Sequence, residues 1–130
     1  MALRTYRQLE VGQRSIELVE AVYRLTASLP GDEKFGLRAQ LQRAAVSIPA
    51  NIAEGYGRSG RGDYLHHLSI ARGSLFELET HLTLAARLGL VKRSAVLNCW
   101  NLAQKVGQML SKLIASLRPE TRNPKPETRP

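Results

Sequence analysis

Cysteine occurs once in this 130-residue sequence, tryptophan once, phenylalanine twice and tyrosine four times. Each scarcity closes off a class of function. A lone Cys99 supplies neither a disulfide framework nor a thiolate metal site. Few aromatics leave little for stacking bases, which weakens any claim to sequence-specific reading of single strands. Long apolar runs are missing, so no stretch reads as a transmembrane helix. The beginning, MALRTYRQLE, has no apolar signal-peptide segment. No strand pattern is found anywhere along the chain. These absences point to a cytoplasmic protein of one domain, long enough to enclose a hydrophobic core.

Positive charge, by contrast, is plentiful. Nineteen Lys and Arg oppose eleven Asp and Glu, a net charge of +8. From Arg118 onward the chain reads RPETRNPKPETRP, with PETR twice and a proline at four positions. Such a segment cannot hold helix or strand, so residues 118–130 read as a disordered basic tail on a domain of residues 1–117. The tail carries four basic and two acidic residues, so the body remains strongly basic. A basic body suggests an anionic partner such as nucleic acid; the competing reading is charge that serves solubility alone.

The rest of the chain is organised around Arg43–Arg61, RAAVSIPANIAEGYGRSGR. At 100° per residue, Leu37, Leu41, Ala44, Ile48, Ile52 and Gly55 share one narrow arc. Ala39, Val46, Ala50 and Ala53 form a second, small-residue arc on the far side. A helix apolar on two faces is expected to be sandwiched between neighbours, with a kink at Pro49. Ser47, Asn51 and Glu54 should bond the backbone or an adjacent helix. Glu54 lacks the second carboxylate or histidine that acid–base chemistry requires. Gly55–Gly60 spells G-x-G-x-x-G, but a dinucleotide site needs a preceding strand. Here it follows a helix, and it reads as a cap and a tight loop. Arg58 and Arg61 flank that loop and are suited to phosphate.

Three further helices follow from periodicity. Helix 1 is expected over Val11–Leu29, with Ile16, Leu18, Val19, Val22, Tyr23, Leu25 and Leu29 inward and Glu20–Arg24 paired one turn apart. Pro30-Gly31 stops it, and helix 2 spans Glu33–Tyr56, with Asp32 and Glu33 at its start. Helix 3, Arg61–Leu88, has the cleanest seam: Tyr64, Leu68, Ala71, Leu75, Leu78, Leu82 and Ala85 alternate in steps of four and three. Arg72 and Glu79 flank that seam as a candidate register-setting ion pair, or as partners for basic residues of helix 2. Glu77 and His81 are one turn apart, but two ligands do not make a metal site, and His66-His67 suggest no role. Gly89 closes helix 3, and Ser94 is the expected N-cap of helix 4. The apolar arc of helix 4, with Cys99 inside it, spans roughly 160°, wider than the ~100° one core contact needs. The fold class is therefore all-α, an antiparallel up-down four-helix bundle.

RAAVSIPANIAEGYGR together with ARGSLFELETHL at residues 71–82 resembles the bacterial bundle proteins encoded in intervening sequences of large-subunit ribosomal RNA genes. That family is similar in turn to the accessory variability proteins of diversity-generating retroelements. The resemblance runs from about Tyr6 to Leu117. It implies a four-helix bundle, often assembled as a ring-like pentamer with a basic surface, and retroelement relatives that assist a reverse transcriptase and its RNA. One departure is Gly12, where relatives usually carry Trp.

No nucleophile with its base, paired carboxylates or metal constellation is present, so the reading is non-enzymatic, without cofactor or metal. The expected function is phosphate-directed binding of nucleic acid, structured RNA before DNA, as a ribonucleoprotein accessory factor. Arg14, Arg43, Arg58, Arg61, Arg72, Lys92 and Arg93 are the candidate contacts, with Arg43 and Arg72 close enough to apolar arcs to be structural instead. The alternative is an oligomeric scaffold for a protein partner. A homo-oligomer is expected because one small bundle cannot bury the second arc of helix 2 and the wide arc of helix 4. The resemblance makes the pentamer the first choice. A reverse transcriptase is a further candidate partner, and no membrane is expected.

Overall fold

All seven seam residues, Tyr64 through Ala85, are buried in a single helix of the computed structural model, α3 (Arg61–Arg87). The structure describes residues 2–31 and 36–118, with side chains of the first helix from residue 7. Three other helices accompany α3: α1 (Ala2–Thr26), α2 (Leu37–Tyr56) and α4 (Arg93–Leu117). The described residues contain no strand. Each helix packs on its two neighbours, α1 on α2, α2 on α3, α3 on α4 and α4 back on α1, with no diagonal pair in contact. Four apolar stripes thus close around one core.

Cross-helix bonds fix the antiparallel sense. Gln42 Nε2 donates to Thr26 Oγ1 (3.1 Å), and Arg38, one turn earlier, donates to the carbonyl of Leu29 (2.7 Å). Ser47 and Ser74 share a hydroxyl hydrogen bond of 2.8 Å, and Asn51 Oδ1 accepts from His67 Nδ1 at 3.0 Å. As α2 advances, its partners on α3 therefore recede. Gln104 Nε2 donates to Glu79 at 2.9 Å, which ties α4 to α3. α2 and α3 are the most closely packed pair, and glycine permits this: Gly55 is buried where a Cβ would lie 2.8 Å from that of His67.

Several expectations are corrected. α1 begins near Ala2 because Ala, Leu, Arg, Gln and Glu in MALRTYRQLE are good helix formers with no breaker among them. It ends at Thr26, where the Ser28 and Leu29 amides turn back to the carbonyls of Leu25 and Thr26; Leu29 is still buried. Ile16 and Tyr23, expected inward, are 50% and 45% exposed, because the core arc of α1 centres on Val11, Leu18, Val22 and Leu25. α2 starts at Leu37 rather than Glu33, α3 ends one residue early at Arg87, and α4 starts at Arg93, two residues before the start that a Ser94 cap implies. The residue capping α4 is Lys92 rather than Ser94, with no side-chain cap bond. Glu20–Arg24 and Arg72–Glu79 do not pair: among the described residues the ion pairs are Arg14–Glu17, Glu54–Arg58 and Glu77–His81. His67, given no role, bonds Asn51. The small arc of α2 is not covered within the chain, where Val46, Ala50 and Ala53 are exposed. Asp32, Glu33 and the tail from residue 119 lie outside the described residues.

Candidate nucleic-acid interface

The seven candidate cations do not form one patch. Arg58 and Arg61 lie at the α2–α3 turn, whereas Lys92 and Arg93 lie at the α3–α4 turn. The 27 residues of α3 separate these two ends by about 40 Å. Arg14 is on α1 with its guanidinium 3.1 Å from Glu17, and Arg43 is exposed on α2. Arg58 donates to Glu54 at 2.7 Å. That bond, with the charge of Arg58, holds the Glu54 carboxyl below its ordinary value. Arg58 is therefore already engaged, while Arg61 is free of any ion pair among the described residues. Arg72 is half-buried on α3, beside a groove shared with α4.

At the α3–α4 end the fold gathers more charge than adjacency in sequence suggests. Lys92 lines a groove of about 400 Å³ with Arg24, Ser28 and Asn98. Arg93 lines a neighbouring one of about 340 Å³ with Arg87, Leu97 and Trp100. Arg24 and Arg87 were missed by the sequence reading. Arg24 was assigned to Glu20, and Arg87 sits in the last turn of α3, where a cation is favoured by the helix dipole whatever its function. Only the closed bundle brings α1 and α3 to the start of α4.

Helix ends sharpen the electrostatics. α3 opens with Arg61 and α4 with Lys92-Arg93, and neither start has a side-chain cap bond. A cation at the positive end of a helix opposes the dipole, whereas an anion there is stabilised by dipole, amides and side chains together. Asp63 partly offsets Arg61 in the first turn of α3; the first turn of α4 has no acidic residue. Cys99, one helical turn further along, is buried, and burial pushes its thiol up to about 11 despite the opposing charge of Arg24. A thiol held protonated in this way is a core residue without nucleophilic character.

Glu77 lies 3.6 Å from the mostly enclosed His81 ring. Among the described residues no three His, Cys, Asp or Glu side chains cluster to hold a metal. No helix among the described residues is long and apolar enough to cross a membrane.

These features define a closed four-helix bundle with Arg24, Arg58, Arg61, Arg87, Lys92 and Arg93 at its helix ends and other cations along its sides. Residues 7–112 match the 23S rRNA-intervening sequence protein family, and the chain belongs to it. A solved structure is similar throughout: a protein of unknown function from the S23 ribosomal protein family of Bacteroides thetaiotaomicron VPI-5482. It is 26% identical with a TM-score of 0.78, over 84% of this chain and 98% of that one. No curated protein matches this sequence.

Proposed function

We propose that this protein is a non-enzymatic RNA-binding bundle of the cytoplasm that acts as an accessory factor in a ribonucleoprotein. Its contacts are mainly to phosphate. One observation carries the reading: Arg24, Arg87, Lys92 and Arg93 converge on the first turn of α4, a dipole-positive terminus without an acidic residue. The link of the family to an intervening sequence of 23S rRNA favours RNA over DNA. Phosphate contacts position a nucleic acid without reading its sequence, so weak sequence preference goes with this chemistry.

The reading includes self-assembly. Leu9, Ile16 and Tyr23 are exposed at seven-residue intervals on α1. Tyr23, Val19 and Ile16 follow Thr26 down the side of α1 that meets Gln42, and Val46 and Ala53 lie on the same side of α2 as Gln42. A stripe of large apolar residues therefore runs beside a stripe of small ones, and a second copy fits the one against the other. A ring-like pentamer, and the retroelement likeness with its reverse-transcriptase partner, extend the proposal in the direction of the family resemblance. The same apolar stripes favour the second reading, an oligomeric scaffold without nucleic acid.

Titration of a labelled structured RNA at several salt concentrations separates the two readings. Counterion release requires log affinity to fall linearly with log salt. Replacing Arg87, Lys92 and Arg93 with Gln shallows that slope by about one unit per lost contact. Arg58→Gln with Arg61→Gln tests the opposite end in the same way. If neither RNA nor DNA binds near physiological salt, the scaffold reading replaces this one.

A further inference from the structure

The α3–α4 face carries a groove of about 460 Å³ that lies away from the cationic helix end. Leu75 and Gly107 form its floor, and the missing side chain of Gly107 gives the groove its depth: a Cβ there would come within 3.1 Å of Leu75 Cδ2. Phe76 stands at its edge, 57% exposed, the most exposed aromatic ring among the described residues. Arg72, one turn before Phe76, is half-buried and makes no ion pair or hydrogen bond among the described residues. Lys112 adds a second unpaired cation from α4. The one carboxylate lining the groove, Glu79, already accepts from Gln104 at 2.9 Å.

An open aromatic face beside two cations without an ion pair among the described residues matches one ligand chemistry in particular. A nucleobase stacks on a phenyl ring, its phosphate meets a guanidinium or an ammonium, and a side-chain amide such as that of Gln108 can address a base edge. Arg72 is partly removed from water without an ion-pair partner among the described residues, an unfavourable state that a phosphate relieves. We propose that this groove binds one unpaired nucleotide displayed by a loop or bulge of folded RNA, with the base on Phe76 and the phosphate between Arg72 and Lys112. The inference rests on the RNA-binding reading and deepens it. Duplex contacts belong to the helix ends, and the groove distinguishes RNA with unpaired bases from continuous duplex.

The test uses the full chain with two labelled RNAs, a hairpin carrying 5-iodouridine in its loop and a blunt duplex of equal length. Irradiation is expected to crosslink the hairpin to the peptide containing Phe76. Phe76→Ala should weaken hairpin binding about 5- to 100-fold, and Phe76→Trp should restore it. Duplex binding should be unaffected by either change. Phe76 is exposed, so these variants retain the fold, which circular dichroism checks. Unchanged hairpin affinity in Phe76→Ala, or crosslinks confined to other peptides, overturns the groove while salt-dependent binding upholds the RNA reading. Failure of both RNAs to bind at low salt overturns both.

Discussion

Gly55 and Gly73 show how one residue type carries opposite meanings in a single bundle. At Gly55 a Cβ would meet His67 Cβ at 2.8 Å, Tyr64 Cδ1 at 3.0 Å and the Tyr64 carbonyl at 3.2 Å. The His67 Cβ and the Tyr64 carbonyl are fixed to the α3 backbone, so relief requires α2 and α3 to part. Gly55→Ala should therefore destabilise by about 1–3 kcal/mol, as overpacking does. Gly73 has open space around its Cβ position on the exposed side of α3, and Gly73→Ala should stabilise by about 0.5–1 kcal/mol. Urea midpoints of the two variants check this; equal shifts would mean that Gly55 does not set the helix separation. Leu75, buried in the core beside Gly107, should lose about 2–5 kcal/mol on replacement by alanine. Cys99 gives a pH dependence whose sign follows from burial. Its thiol ionises near the ordinary value of 9.0 once unfolded but only towards about 11 when folded. Between those values the unfolded state binds fewer protons, so stability falls as pH rises. Cys99→Ala should flatten that decline relative to the parent, measured by urea midpoint across the window.

At the scale of elements, the inward face of α3 was legible from its sequence. α1 was legible as a helix with Leu18, Val22 and Leu25 inward, but not in its bounds or the limits of its inward face. The four-and-three steps from Tyr64 to Ala85 admit one inward face, and that face is the buried one. In α1, the stripe through Leu9, Ile16 and Tyr23 borders the core stripe through Val11, Leu18, Val22 and Leu25, so periodicity merged the two. Polar partners were legible as a kind and not by name. Ser47 and Asn51 bond an adjacent helix as expected, through Ser74 and His67, but Glu54 takes Arg58 just past the end of its own helix and Glu79 takes Gln104. The same logic left Lys92-Arg93 visible by adjacency while Arg24 and Arg87, supplied by α1 and α3, stayed hidden. The Glu54–Arg58 bond also makes a functional prediction. Glu54→Gln removes the charge that engages Arg58 and leaves an arginine free at the α2–α3 turn. RNA affinity should rise, and the salt slope should steepen by up to about one unit. An unchanged slope would mean that Arg58 does not reach phosphate. Because Arg58 holds the Glu54 carboxyl below 4.5, acid releases this bond only beneath that value, and binding near neutral pH should not depend on it.

At the scale of the whole molecule, the proposed RNA binding and the proposed self-assembly depend on each other. One bundle offers cations at two ends too distant to reinforce one another on a short RNA, and the exposed apolar stripe of Leu9, Ile16, Tyr23 and Val46 on the α1–α2 face makes no phosphate contact itself. Assembly through that face would repeat the cationic ends around a closed oligomer and convert weak contacts into strong binding of long RNA without any new contact type. Ile16 is the centre of the exposed stripe and lies outside the core, so Ile16→Glu should leave the bundle folded while placing a charge in the proposed interface. Light scattering should then report the mass of a single chain for this variant and a multiple of it for the parent. Affinity for a short hairpin, which one bundle can satisfy, should be retained by Ile16→Glu. Affinity for a long RNA should fall by about a hundredfold or more, the range over which linked sites reinforce one another. A parent protein that is itself monomeric would assign the α1–α2 face to a different partner. Equal losses on short and long RNA would mean that residues near Ile16 contact the nucleic acid directly.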